Sequence, residues 1–280
     1  MTTLVFPGQG SQFQGMGLDL LDRVPEYEPK IDAILGYSLR ELIEENPSNK
    51  LSQTEFTQPA IYVVSCLAYL KEESEGLRPN YVIGHSLGEF SACFASGIFD
   101  FFTGLHIVQK RGQIMSKQIG GAMLAILGLN ESSLFDLLIE HDLLSVIDVV
   151  NYNSPSQFVL SGLTQDIEQA KDILSNANAH VVRLPVSGAF HSRHLQPARI
   201  EFMQYLMDFS FEAPKIPILS SSTMQLMEHD YIYETLGYQI TKSVQWTGSI
   251  QMLAKVHGQN IFKEVGPGQV LTKLISQILQ

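Results

Sequence analysis

Basic residues are scarce in this chain of 280 residues: 18 Lys and Arg stand against 29 Asp and Glu, a formal net charge of -11. A nucleic-acid binder carries a basic excess gathered into a patch or stripe, so nucleic acid is not an expected partner. The same acidic balance argues against docking on an anionic membrane. Long apolar runs are missing as well, and none approaches the roughly 20 residues a membrane span needs. The opening MTTLVFPGQG has neither a basic n-region nor a long apolar stretch. No signal peptide is therefore expected, and the cytoplasm is the default location. Cysteine is limited to Cys66 and Cys93, each within an apolar, helix-like run, which reads as two reduced core residues. No Cys/His spacing has the form of a zinc site, so no metal is expected.

Apolar residues are plentiful. They make up 45% of the chain against 17% charged, enough to build a buried core and to exclude disorder. The length suits one large domain with a smaller one inserted. Residues 3–6 (TLVF) form a short apolar run stopped by Pro7 and Gly8, a buried strand feeding a loop. From Gln14 to Glu45, Pro25, Pro29 and Gly36 divide a helical pattern into short pieces. Thr57-Gln58-Pro59 leads into AIYVVSCLAYLKEE, a helix expected to carry Pro59 at its first position. YVI, GHSLG and EFSACFASG then read as strand, tight turn and helix, an α/β signature. A helix from Phe102 to Ile119 carries Arg111.

Residues 121–188 change character. Their pattern predicts β-α-β-β-α-β, a ferredoxin-like unit, with Thr164 as cap of its second helix. The expected fold is thus α/β. A large α/β-hydrolase-like domain with a short central parallel sheet (1–120 and 189–280) holds a small ferredoxin-like domain (121–188).

Gly84-His85-Ser86-Leu87-Gly88 matches G-x-S-x-G. A sharp strand-to-helix turn holds such a serine strained and exposed. The helix N-terminus behind it favours developing negative charge, and the Leu87 amide can donate to an oxyanion. A serine needs a base. Among eight histidines, His191 and His194 share the loop VSGAFHSRHL, and spacing does not choose between them. His85, His106, His141, His180, His229 and His257 have no catalytic context. The loop Gly8-Gln9-Gly10-Ser11-Gln12 lacks the third glycine of a dinucleotide fingerprint and the lysine of a P-loop. Its amides are candidates for a second oxyanion donor. Arg111 beside Lys110 reads, by itself, as a solvated arginine on a helix. Asn130-Glu131-Ser132 matches a glycosylation sequon and reads as coincidence in a cytoplasmic chain.

Six motifs appear in order: FPGQGSQ at 6–12, TQPA at 57–60, GHSLGE at 84–89, RGQIM at 111–115, GAFHS at 188–192 and EVGPGQVL at 264–271. Together they cover nearly the whole chain. It resembles the malonyl-CoA:acyl-carrier-protein transacylases and the acyltransferase domains of polyketide synthases. GAFHSRHL and NYNSPSQFVLSG resemble the discrete, trans-acting members.

The resemblance implies an S-malonyltransferase that passes a malonyl group through a serine ester to the phosphopantetheine thiol of a holo acyl carrier protein. Polyketide synthesis is the preferred setting over fatty acid synthesis. By resemblance Ser86 is the nucleophile and His191 the base. The backbone carbonyl of Gln239 orients His191, and the amides of Gln9 and Leu87 form the oxyanion hole. Gln58 lines the acyl site, Arg111 pairs with the malonyl carboxylate, and Phe190 fills the space a methylmalonyl group would need. No cofactor is expected to be bound. Coenzyme A enters as the substrate's thioester, and phosphopantetheine belongs to the carrier protein. A monomer is expected, with Lys110, Arg111 and Lys117 as a candidate docking cluster.

Two other functions compete. One is an acyl hydrolase that clears acyl chains from carrier proteins, which has no need of Arg111. The other is a non-catalytic docking subunit, which has no need of Ser86 and His191. A general α/β-hydrolase esterase lacks an acid in the expected order after the serine.

Overall fold

The computed structural model describes residues 1–177, 179–256 and 261–280; His257 lies outside them. Strands β1 (Thr2–Phe6), β2 (Tyr81–Gly84), β7 (Ile218–Leu219) and β8 (Ile261–Glu264) make a parallel sheet in the order β7-β2-β1-β8. Side chains alternate across a strand, and both faces here are apolar. Leu4, Phe6 and Val82 enter the main helical core, while Val5, Ile83 and Leu219 pack against Trp246, Ile250, Leu271 and Leu274. A short parallel sheet covered on both faces is the architecture such runs specify.

Strands β3 (Gly121–Leu127), β4 (Ile147–Ser154), β5 (Gln157–Leu163) and β6 (His180–Arg183) form an antiparallel sheet in the order β4-β5-β3-β6. On one face of β3, Ala122, Leu124 and Ile126 pack on Leu134, Leu138, Ile167, Ala170 and Leu174 from the two helices of this unit. On the other face, Met123 and Ala125 join the main core. The segment before the helix Trp246–Val256 is tied to β4: the Val244 amide donates to Val150 at 2.7 Å, and the Tyr152 amide donates to Val244 at 2.9 Å.

Some local expectations are corrected. The helix carrying Gln58 runs Thr54–Ser74, so Pro59 stands inside it rather than at its start. Helix formation begins earlier because the Gln53 carbonyl receives the amides of Phe56 and Thr57, at 2.9 and 2.8 Å. Pro59 lacks the N–H that would have bonded Glu55. Thr164 does not cap its helix. Both its amide and its hydroxyl donate to the Gly120 carbonyl, at 3.0 and 3.1 Å. The Arg111 helix runs Phe101–Ser116, capped by Asp100, whose carboxylate accepts from the amides of Phe102 and Thr103. Asn130, the sequon residue, caps the helix Glu131–Glu140 through the Ser133 amide. Cys66 and Cys93 are buried free thiols. Among the described residues, no helix is long and apolar enough to cross a membrane.

The end of β2 meets the helix Gly88–Ser96 with no room to spare. A methyl group at Gly88 would overlap the Phe6 carbonyl, and one at Gly84 would overlap the backbone of Gly88 and Glu89. Overpacking of this kind costs ~1–3 kcal/mol, and here it cannot be relieved without moving Ser86. Gly88→Ala should therefore lower the thermal midpoint by roughly 2–10 °C and slow labelling of Ser86 by a fluorophosphonate. An unchanged midpoint with unchanged labelling would show that the turn has slack.

Candidate active site

Ser86 occupies the turn between β2 and the helix Gly88–Ser96, at φ 51°. A non-glycine residue in this left-handed region is strained by ~1–3 kcal/mol and must be held by its surroundings. Several bonds hold it. The His85 amide donates to Phe6 at 3.0 Å, the Ser221 hydroxyl donates to the Gly84 carbonyl at 2.8 Å, and the Gln239 side-chain amide donates to the Ser86 carbonyl at 2.7 Å.

His191 is the second strained residue, at φ 62°. It lies in the loop after β6, 5% exposed. Its Nε2 is 2.7 Å from the Ser86 hydroxyl oxygen. Its Nδ1 is 3.0 Å from the carbonyl oxygens of both Gln239 and Lys242. Facing two acceptors, Nδ1 must carry the proton, which leaves the Nε2 lone pair directed at the serine. Burial, the nearby Arg111 charge and His85 drive the imidazole from 6.5 down to about 3, against the two carbonyls. It is therefore neutral at pH 7 and able to accept a proton.

The loop resolves the choice between its two histidines. His191 turns back to Ser86, whereas His194 sits in the 3-10 turn Arg193–Leu195 that opens the next helix. His85 is turned away from the reaction side. Its Nε2 meets the Asn153 oxygen at 2.8 Å, and its ring stands edge-on to Trp246. His106 is exposed on its helix.

Arg111 is not a solvated helix residue. It is 0% exposed. Nη1 donates to the Gln58 oxygen at 2.8 Å, and Nη2 donates to the Gln239 oxygen at 2.8 Å and to Ser86 Oγ at 3.4 Å. Its plane lies over Phe90, with the guanidinium carbon 5.4 Å from the ring centre. Nε is buried with no hydrogen-bond partner among the described residues. Burial lowers the guanidinium to about 9, with Glu89 opposing, so it remains charged at pH 7. Of the candidate docking cluster, Lys117 is exposed. Arg111 faces inward, and Lys110 pairs with Glu201 at 3.4 Å.

Ser86, His191 and Arg111 open into one cavity of about 90 Å³. Gln9, Gln58, Leu87, Met115, Met123 and Phe190 also line it. Phe190 is 5% exposed and backs the strained His191. The Gln9 side chain donates to the Thr54 hydroxyl at 3.2 Å.

Three features of the site escaped sequence reading. The Gln239 side chain, not only its carbonyl, joins the serine to the arginine. Lys242 supplies a second carbonyl to His191. Glu89 lies fully buried behind the elbow, and its carboxylate accepts from Ser221 and Gln239, each at 3.3 Å. Only Glu89 left a trace: an acid opening a helix otherwise made of small and apolar residues.

The chain is similar to known proteins along its length. It is 47% identical over 281 residues to the polyketide biosynthesis malonyl CoA-acyl carrier protein transacylase BaeC of Bacillus velezensis, covering 99% of this chain and 96% of that protein. The crystal structure of malonyl CoA-acyl carrier protein transacylase from Burkholderia pseudomallei superimposes with a TM-score of 0.95 at 40% identity, covering 100% of this chain and 98% of that one. A type II polyketide synthase acyl-carrier protein in complex with its malonyl-transacylase superimposes at 0.92 and 31% identity, covering 99% of this chain and 93% of that one. Residues 3–280 match the family described as acyl transferase domain. With a match that runs through residues 3–280, the chain belongs to the acyl transferase domain family.

Proposed function

We propose that the protein moves a malonyl group from malonyl-CoA to the phosphopantetheine thiol of an acyl carrier protein, through an ester on Ser86, in polyketide synthesis. The observation that carries this reading is the reach of Arg111 to within 3.4 Å of the same oxygen that His191 approaches at 2.7 Å. A group esterified to Ser86 with a carboxylate at its other end would meet a guanidinium, whose planar fork matches that carboxylate. The malonyl transacylases among its relatives support the substrate, and BaeC supports the polyketide setting.

In the proposed mechanism, His191 Nε2 takes the Ser86 proton as the oxygen attacks the thioester carbonyl. The amides of Gln9 and Leu87 stabilise the tetrahedral oxyanion, helped by the helix N-terminus behind Ser86. The C–S bond breaks, and coenzyme A leaves with the proton from His191. The carrier thiol then enters, His191 takes its proton, and the ester returns to Ser86 hydroxyl as the new thioester forms. Gln58 holds Arg111 in place, and Phe190 limits the acyl group to malonyl size. The chemistry draws nucleophile, base and anion site from side chains of one chain. A monomer without a bound metal or cofactor is therefore sufficient, and the cytoplasm is the location we propose.

Removing Arg111 leaves a malonyl carboxylate unpaired in a dry pocket. Arg111→Ala should lower kcat/KM for malonyl-CoA by about two orders of magnitude or more, and for acetyl-CoA much less. Equal losses would remove Arg111 from substrate recognition.

The pH dependence follows from His191. The neutral imidazole is the active form, and its value is pushed from 6.5 down to about 3, first by burial. Acidification from pH 7 to 5 therefore leaves it unprotonated. Single-turnover acylation of Ser86 by acetyl-CoA should hold its rate across that interval. A loss of activity centred near 6.5 would mean that the base is an ordinary solvated histidine.

A further inference from the structure

Arg111 is a buried cation with no carboxylate in direct contact among the described residues. Its two side-chain amide partners, Gln58 and Gln239, are neutral. A buried charge without compensation is costly, and the compensation lies one group further back. The Gln239 carboxamide accepts from Arg111 through its oxygen at 2.8 Å and donates to the Glu89 carboxylate through its nitrogen at 3.3 Å. The line Arg111–Gln239–Glu89 is an ion pair with an amide dipole inserted, each end of the dipole facing the charge it favours.

We infer that Glu89 is a positioning residue that acts as the distant counter-charge of Arg111 and takes up a proton when the substrate carboxylate arrives. The inference rests on the malonyl-ester reading above. A carboxylate bonded directly to Arg111 would occupy the fork that the malonyl group must use. Placed behind Gln239, Glu89 compensates the cation without itself bonding the guanidinium. When malonyl docks, two anions share one cation, and one of them must be neutralised. The malonyl carboxylate lies on the guanidinium. Glu89 is held by neutral donors alone: 3.3 Å bonds from Ser221 and Gln239, with Ser220 alongside. A proton from solvent therefore goes to Glu89.

Burial raises Glu89 from 4.5 to about 7, with Ser220, Gln239, Ser221 and Arg111 opposing. The acid is thus poised at neutrality before substrate binds, and a second anion raises it further. The other groups nearby hold still through neutral pH. Burial pushes Cys93 on the same helix, and Cys66 and Tyr62 on the helix Thr54–Ser74, well above their ordinary values. Burial lowers His191 and His85 below theirs. Arg111 is the one charge among the described residues that these contacts place opposite Glu89.

The test is the equilibrium between free and acylated enzyme, read by intact-protein mass spectrometry at known malonyl-CoA and coenzyme A, between about pH 6 and 9. The same titration with acetyl-CoA corrects for the coenzyme A thiol. Relative to acetyl, the wild-type malonylation constant should fall as pH rises above neutrality, approaching about tenfold per pH unit where one proton is linked. In Glu89→Gln this difference should vanish. Parallel malonyl and acetyl curves in the wild type would overturn the inference without the variant, and a slope that survives in Glu89→Gln would assign the proton to another group. Absence of any malonyl adduct in the wild type would instead strike at the malonyl reading itself.

Discussion

A guanidinium shut away from water is the constraint on which the rest of this structure depends. Arg111 reaches Ser86 only because elements distant in sequence supply it with oxygen acceptors: Gln58 from one helix and Gln239 from a 3-10 turn near the other end of the chain. The same Gln239 donates to the Ser86 carbonyl, and its backbone carbonyl fixes His191. One residue thereby links Arg111, Ser86 and His191. Preorganised dipoles of this kind act without reorganising as charge develops, and a dry pocket strengthens them.

The backbone contributes through strain. Ser86 and His191 both stand in the left-handed region that favours glycine, and they are the two residues whose side chains must meet. Close approach of β1 at Gly88 and the bonds from Ser221 and Gln239 hold the first. The carbonyls of Gln239 and Lys242 hold the second. The antiparallel sheet closes the cavity from the far side with Met123, which comes from the opposite face of β3 to its own helical core.

Strand, elbow and helix were legible in YVIGHSLGEFSACFASG because a turn this tight admits few sequences and because period and composition change across it. The parallel sheet followed from short apolar runs, and the antiparallel one from the β-α-β-β-α-β order of residues 121–188. His191 could not be separated from His194 by spacing, since the difference is a single backbone turn at φ 62°. Arg111 was opaque for a related reason. Its helix carries Lys110 next to it, and what buries it is Gln58 and Gln239, 53 and 128 residues away. Only the resemblance to malonyl transacylases pointed inward. Pro59 and Thr164 misled because both have the local chemistry of helix starts, while the Gln53 carbonyl starts the first helix earlier and the Gly120 carbonyl takes the Thr164 hydroxyl away from capping the second.

Malonyl transfer requires that Ser86 carry a malonyl group and pass it on. The most direct measurement is intact-protein mass spectrometry after mixing with malonyl-CoA, followed by addition of a holo acyl carrier protein from a polyketide system. The account predicts a malonyl adduct that is absent in Ser86→Ala and that moves to the carrier protein. No malonyl adduct on the wild-type protein, together with rapid hydrolysis of longer acyl thioesters, would contradict it and assign the fold to acyl clearance.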